Sequence, residues 1–284
     1  MSHRTIVSTD TLASHLSGAW VIVDCRFDLQ AAEWGREQYL AAHIPGAVYA
    51  SLNHDLAGPR TGTNGRHPLP SIEALTATLG RLGIGRSTQV VAYDQDSGMY
   101  ASRLWWMLRY MGHDAVAVLD GGWAKWTREE RPARSGDEPR PAVAFAASPR
   151  PELRSSVDDV TARLHDGSTL LVDARGPERY EGRSEPIDRV AGHIPGAVNR
   201  YYKSNATDDG TLLPPQVLRA TFLRLLGDRE PAQAVMYCGS GVTACHNLLA
   251  MEHAGLTGAR LFAGSWSEWS ADPTRPVEKG PSKP

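Results

Sequence analysis

The sequence predicts an α/β protein made of two tandem copies of one domain, each a mostly parallel sheet flanked by helices. Three observations carry this: short apolar runs alternate with longer helical patterns, the chain repeats itself once at domain length, and 284 residues suit about two domains. The repeat is direct. Val23-Asp24-Cys25-Arg26 is echoed by Val172-Asp173-Ala174-Arg175, and His43-Ile44-Pro45-Gly46-Ala47-Val48 by His193-Ile194-Pro195-Gly196-Ala197-Val198. Leu69-Pro70 matches Leu213-Pro214, and Val91-Ala92-Tyr93-Asp94 aligns with Val235-Met236-Tyr237-Cys238. Gly121-Gly122-Trp123-Ala124-Lys125-Trp126 matches Gly264-Ser265-Trp266-Ser267-Glu268-Trp269. The order is the same in both halves, so the chain is a duplication and not a solenoid.

Taken in order, residues 20–24 and 89–93 in the first half, and 169–173 and 234–237 in the second, read as buried strands. Residues 71–81 and 215–226 carry apolar side chains at helical spacing. Ser71 is a suitable helix start, although Glu73 sits one position short of a full capping box. A helical pattern also runs over 243–251. Residues 127–156 are rich in proline, arginine and acid, which is linker composition. The predicted division is a domain at 1–130, a linker at 131–156 and a domain at 157–284, with 271–284 as a flexible tail.

Composition excludes several function classes. The chain is 41% hydrophobic and 22% charged, as ordinary globular proteins are. No apolar run reaches the roughly 20 residues needed to span a membrane. Residues 1–10 lack the basic and apolar stretches of a signal peptide, so a cytoplasmic location is expected. A net charge of −2 leaves no footprint for nucleic acid or an anionic membrane. The three cysteines, Cys25, Cys238 and Cys245, are not spaced as a zinc knuckle, and reduced thiols are expected. No dinucleotide or phosphate loop and no metal-ligand cluster stands out, so neither cofactor nor metal is expected.

The duplication acts as an internal control. Asp24 and Asp173, Arg26 and Arg175, His43 and His193, and the paired tryptophans occur in both halves, so they are expected to serve the fold. The difference that matters is Asp94 against Cys238: one half carries a carboxylate where the other carries a thiol. Cys238 follows a strand, and a glycine-bearing turn and a helix start follow it. That arrangement points several backbone N–H groups into one concavity, an anion-binding nest. Gly239 and Gly241 permit the tight path, and the field of the nest favours the nucleophilic thiolate. Cys245, in the helical stretch, and Cys25, in a strand pattern, are expected to be inert packing residues.

Cys238-Gly239-Ser240-Gly241-Val242-Thr243-Ala244, the second Gly-His-Ile-Pro-Gly-Ala and Gly264-Ser265-Trp266-Ser267-Glu268-Trp269 resemble the tandem-domain rhodanese family over about residues 5–270. The loop is similar to that of its 3-mercaptopyruvate branch. The resemblance implies two rhodanese-like α/β domains, an inactive N-terminal one and a catalytic C-terminal one, and a sulfurtransferase carrying sulfur as a Cys238 persulfide. It implies a thiol acceptor such as thioredoxin, with cyanide as a laboratory substitute. The thiosulfate-specific branch has Arg and Lys after the cysteine, where Gly239 and Ser240 stand here. A donor with a single carboxylate, 3-mercaptopyruvate, is therefore expected over thiosulfate, held by a bidentate arginine.

Arg179 matches the family's substrate arginine and faces Gln30 in the first half. Arg189 is nearest the place of a second one, with Arg183 as the fallback; the loop's Gly239, Gly241, Val242 and Thr243 complete the expected binding set. The resemblance further matches Asp55 and His67 to an Asp and a His that reach the cysteine and Ser240, making Ser240 the proton relay. Three other readings stand beside this one. A cysteine phosphatase would need an arginine where Ala244 stands, a non-catalytic sulfur-binding module would not need the intact nucleophile, and a thiosulfate-preferring enzyme would share the persulfide.

Overall fold

The computed structural model describes residues 2–164 and 167–281. It contains two compact units. The first holds the chain up to Gly58, Pro70–Arg150 and Ala206–Leu212; the second holds Pro59–Leu69, Pro151–Asn205 and the chain from Leu213. The units are therefore not simply the two sequence halves, because each includes a short segment from the other half. Within the first unit Leu212 N–H donates to Asp120 Oδ1 at 2.8 Å, and within the second Arg66 N–H donates to Ser267 Oγ at 3.0 Å.

The first unit contains β1 (Ile6–Val7), α1 (Thr9–Ala13), β2 (Val21–Asp24), α2 (Trp34–Ala41), β3 (Ala47–Tyr49), α3 (Ile72–Arg81), β4 (Val90–Tyr93), α4 (Ala101–Tyr110), β5 (Val116–Leu119) and α5 (Gly122–Arg128). Its sheet runs in the order β1-β5-β4-β2-β3, all pairs parallel. The second unit repeats the plan with β6 (Arg154–Ser155), α6 (Val157–Ala162), β7 (Leu170–Asp173), α7 (Pro177–Tyr180), β8 (Val198–Asn199), α8 (Pro215–Leu226), β9 (Ala234–Tyr237), α9 (Ala244–His253), β10 (Arg260–Phe262) and α10 (Ser265–Trp269). Its order is β6-β10-β9-β7-β8, again parallel. The central strands β2, β4, β7 and β9 are buried along their whole length, as parallel strands covered on both faces must be.

The expected helices form where the periodicity put them. α3 opens on Ser71, whose hydroxyl accepts from Ala74 N–H, so the capping half that needs only serine is made without the glutamate half. Cys25 lies one residue past β2 rather than inside it. Parts of the predicted linker and tail make specific bonds. Val143 N–H reaches Gly80 O, Ser148 N–H reaches Met111 O and Arg150 N–H reaches Tyr110 O within the first unit. Glu278 exchanges backbone bonds with His193, and Trp269 Nε1–H donates to Pro276 O at 2.9 Å. Composition alone misses these because a proline-rich strand of chain can still dock edge-on. Residues 282–284 of the tail lie outside the described residues.

The duplicated polar residues pair identically. Arg26 grips Asp24 and donates to Ala42 O, and Arg175 grips Asp173 and donates to Gly192 O. His43 Nδ1 is 2.7 Å from Tyr39 O, and His193 Nδ1 is 2.7 Å from Tyr180 O. Each ion pair is almost fully buried. Such pairs are costly to form and costlier to break singly, which suits a brace at a strand end.

Candidate active site

Cys238 is the first residue after β9 and α9 begins at Ala244, so the turn between them holds Gly239, Ser240, Gly241, Val242 and Thr243. Three bonds anchor its start. Trp266 N–H donates to Cys238 O at 2.9 Å and Ser267 N–H to Gly239 O at 2.9 Å. Cys238 N–H donates to Ser265 Oγ at 3.1 Å. Gly241 has φ +72°, and a methyl group on its Cα would lie 2.1 Å from Ala263 O, so the turn needs glycine here. Val242 is buried and Thr243 half-buried. The Cys238 side chain is itself sheltered, at 2% exposure.

Ser265 is a residue that sequence reasoning missed. It adopts φ +55° and is fully buried. A left-handed backbone costs a non-glycine residue about 1 kcal/mol or more. Its hydroxyl accepts from Cys238 N–H and donates to Phe262 O at 2.9 Å. The first unit has Gly122 at this place, with φ +54°. The mismatch of serine and glycine inside the repeat was the available signal.

The corresponding turn of the first unit holds a carboxylate. Asp94, the counterpart of Cys238, is fully buried. Its carboxylate accepts from the N–H groups of Asp96 and Gly98 at 3.0 Å, Tyr100 at 2.7 Å and Ala101 at 3.0 Å. Burial pushes this carboxyl above its ordinary value, and the four hydrogen bonds oppose that push. A strand, a glycine turn and a helix start thus form a cradle for one negative charge.

His67 and Arg66 enter the second unit on Pro59–Leu69. His67 is buried, with Nδ1 2.9 Å from Ser240 Oγ. Arg66 pairs with one oxygen of Asp188 and Arg179 with the other, the latter at 3.1 Å. Arg179 also donates through Nη2 to Glu185 at 2.7 Å, and Arg175 Nη1 meets Glu185 at 3.1 Å. Burial opposes ionisation of Glu185, yet hydrogen bonds from Arg179 and nearby backbone hold it below its ordinary value. Asp188 is pushed up by burial and by the Glu185 charge, against the pull of Arg66 and Arg179.

A methyl group on Gly239 would lie 2.7 Å from Arg66 Nη2, 3.4 Å from Arg179 Nη2 and 3.6 Å from Arg179 Nη1. Both guanidinium groups therefore stand over the residue that follows Cys238. The second unit brings Cys238, Gly239, Ser240, His67 and Arg179 together, and adds Arg66, which no sequence pattern had marked. Its position next to His67 was the only hint. Arg183 lies at the surface, paired with Glu181 at 2.6 Å and Glu178 at 3.6 Å, and Arg189 is exposed. Asp55 belongs to the first unit, where its carboxylate accepts from Ser51 N–H at 2.8 Å and pairs with Arg81. Among the described residues there is no His, Cys, Asp or Glu group fit to hold a metal ion, and no helix is long and apolar enough to cross a membrane.

Both halves match the model of the rhodanese-like domain, over residues 8–129 and 156–272. The chain is similar to a probable 3-mercaptopyruvate sulfurtransferase of Pseudomonas aeruginosa, 43% identical over 283 residues covering 99% of this chain and 100% of that one. It is 37% identical to the human 3-mercaptopyruvate sulfurtransferase over 87% of this chain and 84% of that one. It is 35% identical to the thiosulfate sulfurtransferase of Bos taurus over 94% and 92%. Among solved structures, the 3-mercaptopyruvate sulfurtransferase of Leishmania major superposes with TM-score 0.84 at 30% identity, covering 94% of this chain and 74% of that one. SseA of Escherichia coli superposes with TM-score 0.78 at 31% identity, covering 93% and 99%.

Proposed function

The chain belongs to the rhodanese family, with one rhodanese-like domain in each half, and we propose that it transfers sulfur from 3-mercaptopyruvate to a thiol through a persulfide on Cys238. In the first step the Cys238 thiolate attacks the donor sulfur. The new S–S bond forms as the carbon–sulfur bond breaks, and its electron pair leaves on carbon as the enolate of pyruvate, which must be protonated. Ser240, 2.9 Å from His67 Nδ1, is the proton relay. In the second step a thiol such as that of thioredoxin, or cyanide in the laboratory, attacks the outer sulfur. The S–S bond breaks and the Cys238 thiolate returns. Cys25, Cys238 and Cys245 are free thiols, which suits a reducing cytoplasm.

The observation that carries the donor reading is the charge around Gly239. The loop itself holds no cation, and the arginines beside it are already met by carboxylates. Arg66, Arg175 and Arg179 stand with Asp173, Glu185 and Asp188, three of each sign. A monoanion adds less uncompensated charge to such a cluster than the thiosulfate dianion does.

With cyanide as acceptor, kcat/KM for 3-mercaptopyruvate is expected to exceed that for thiosulfate. Arg179→Ala raises KM for 3-mercaptopyruvate by about tenfold to a hundredfold with little change in kcat, because a charge-assisted hydrogen bond contributes about 1.5–3 kcal/mol. A clear preference for thiosulfate would sink the donor assignment and leave the persulfide standing. Failure to find an added sulfur atom on Cys238 would favour the non-catalytic module.

A further inference from the structure

We infer that Arg66 is a second donor-binding residue, forming with Arg179 a seat for the donor carboxylate over Gly239; this rests on the sulfur-transfer reading above. Arg66 is built into the site from its backbone outward. Its N–H donates to Ser267 Oγ at 3.0 Å, and Ser267 N–H donates in turn to Gly239 O at 2.9 Å. The residue before it, Gly65, has φ +85°, and a methyl group there would lie 2.8 Å from Gly264 O. The chain therefore passes too close to α10 for any side chain before Arg66, and this approach delivers the arginine to the loop.

The Arg66 guanidinium is divided in its contacts. Nη1 is taken by Asp188, while Nη2 faces the Cα of Gly239. Arg179 spends Nε and Nη2 on Glu185 and Asp188, and both Nη2 and Nη1 lie within 3.6 Å of where a methyl group on Gly239 would stand. The Asp188 carboxylate bridges the two arginines with one oxygen each, so their planes are held by a fixed anion before a ligand arrives. Each arginine side chain is 21% exposed, while Glu185 and Asp188 are 3% and 7% exposed. The outward-facing donors belong to the cations and the hidden oxygens to the acids. A carboxylate approaching Cys238 meets N–H groups, and two guanidinium groups can take its two oxygens. Gly239 leaves room for them, since a methyl group there would come within 2.7 Å of Arg66 Nη2 and push the guanidinium aside.

The test uses pyruvate, the carboxylate product, as a calorimetric binding probe on the full chain, alongside donor kinetics with cyanide as acceptor. Arg66→Gln is expected to weaken pyruvate binding by about tenfold or more and to raise KM for 3-mercaptopyruvate by a similar factor, with kcat nearly unchanged. Arg66→Lys, which keeps the charge and loses the fork, falls between. Unchanged pyruvate affinity and KM in Arg66→Gln would overturn the assignment. Unfolding of both variants, read by thermal melting, would overturn it too, since Arg66 would then be a structural residue. Mass spectrometry of Cys238 after exposure of the wild-type chain to donor decides the sulfur-transfer reading separately. A wild type that gains no sulfur but loses pyruvate affinity on Arg66→Gln would retain the seat and remove the reaction.

Discussion

Replacing Cys238 by alanine is expected to abolish persulfide formation and to reduce sulfur transfer by about 10⁴-fold or more, to the background of the uncatalysed reaction. The size of the effect follows from there being no substitute nucleophile. Cys25 is buried in the first unit, and burial, with the charges of Asp24 and Asp94 adding to it, pushes its thiol well above the ordinary value. Cys245 is fully buried on α9, with Sγ 3.4 Å from Gly241 O. Cys25, its thiol pushed up, and Cys245, enclosed on α9, are poor sources of thiolate. The change from thiol to methyl removes little volume at a site anchored by backbone bonds, so the variant should fold normally. Mass spectrometry after incubation with 3-mercaptopyruvate reads the outcome: one added sulfur atom on the wild type and none on Cys238→Ala. Sulfur retained on another cysteine, with transfer intact, would sink the mechanism.

The second large effect falls on the half without the nucleophile. Asp94→Ala strips the acceptor from four converging N–H groups in a fully buried turn. Each buried donor left unmatched costs about 1–3 kcal/mol, and water entering the vacated space offsets part of the sum. A net loss of about 3–5 kcal/mol from the first unit is expected. Chemical denaturation measures it, and hydrogen exchange localises it, with the amides of Gly98 and Ala101 losing protection first. A variant within about 1 kcal/mol of wild type would show that the cradle does not depend on its anion. The same result would weaken the view of the Cys238 turn as a nest for negative charge.

The α/β class, the duplication, the four central strands and the helices at Ile72–Arg81, Pro215–Leu226 and Ala244–His253 were legible because local pattern carries them. Central strands such as Val90–Tyr93 and Ala234–Tyr237 are continuous apolar runs, and Pro215–Leu226 repeats at helical spacing. The structural role of Asp24–Arg26 and Asp173–Arg175 was legible through the repeat, since both halves keep them. Arg179 was reached only through resemblance. Arg66 was not reached at all, because a single arginine in a turn-rich segment has no periodicity to betray it. Arg189 was matched to the place of the family's second arginine, with Arg183 as the fallback; both are exposed, while Arg66 stands over Gly239.

By itself the sequence determined the two-domain α/β plan and the placing of a thiol at one strand end where its twin has a carboxylate. These depend on residues close in the chain, where spacing is geometry. Only the tertiary structure decided which charges surround that thiol. Pro59–Leu69 carries Arg66 and His67 into the second unit, where they meet Asp188 and Ser240, 122 and 173 residues away. Contacts at such separation are set by packing and by the hydrogen-bond partners a segment finds, and no local pattern encodes them. The turn beginning at Cys238 was therefore readable from its own residues, while the cluster of Arg66, Arg179 and Asp188 beside it was not.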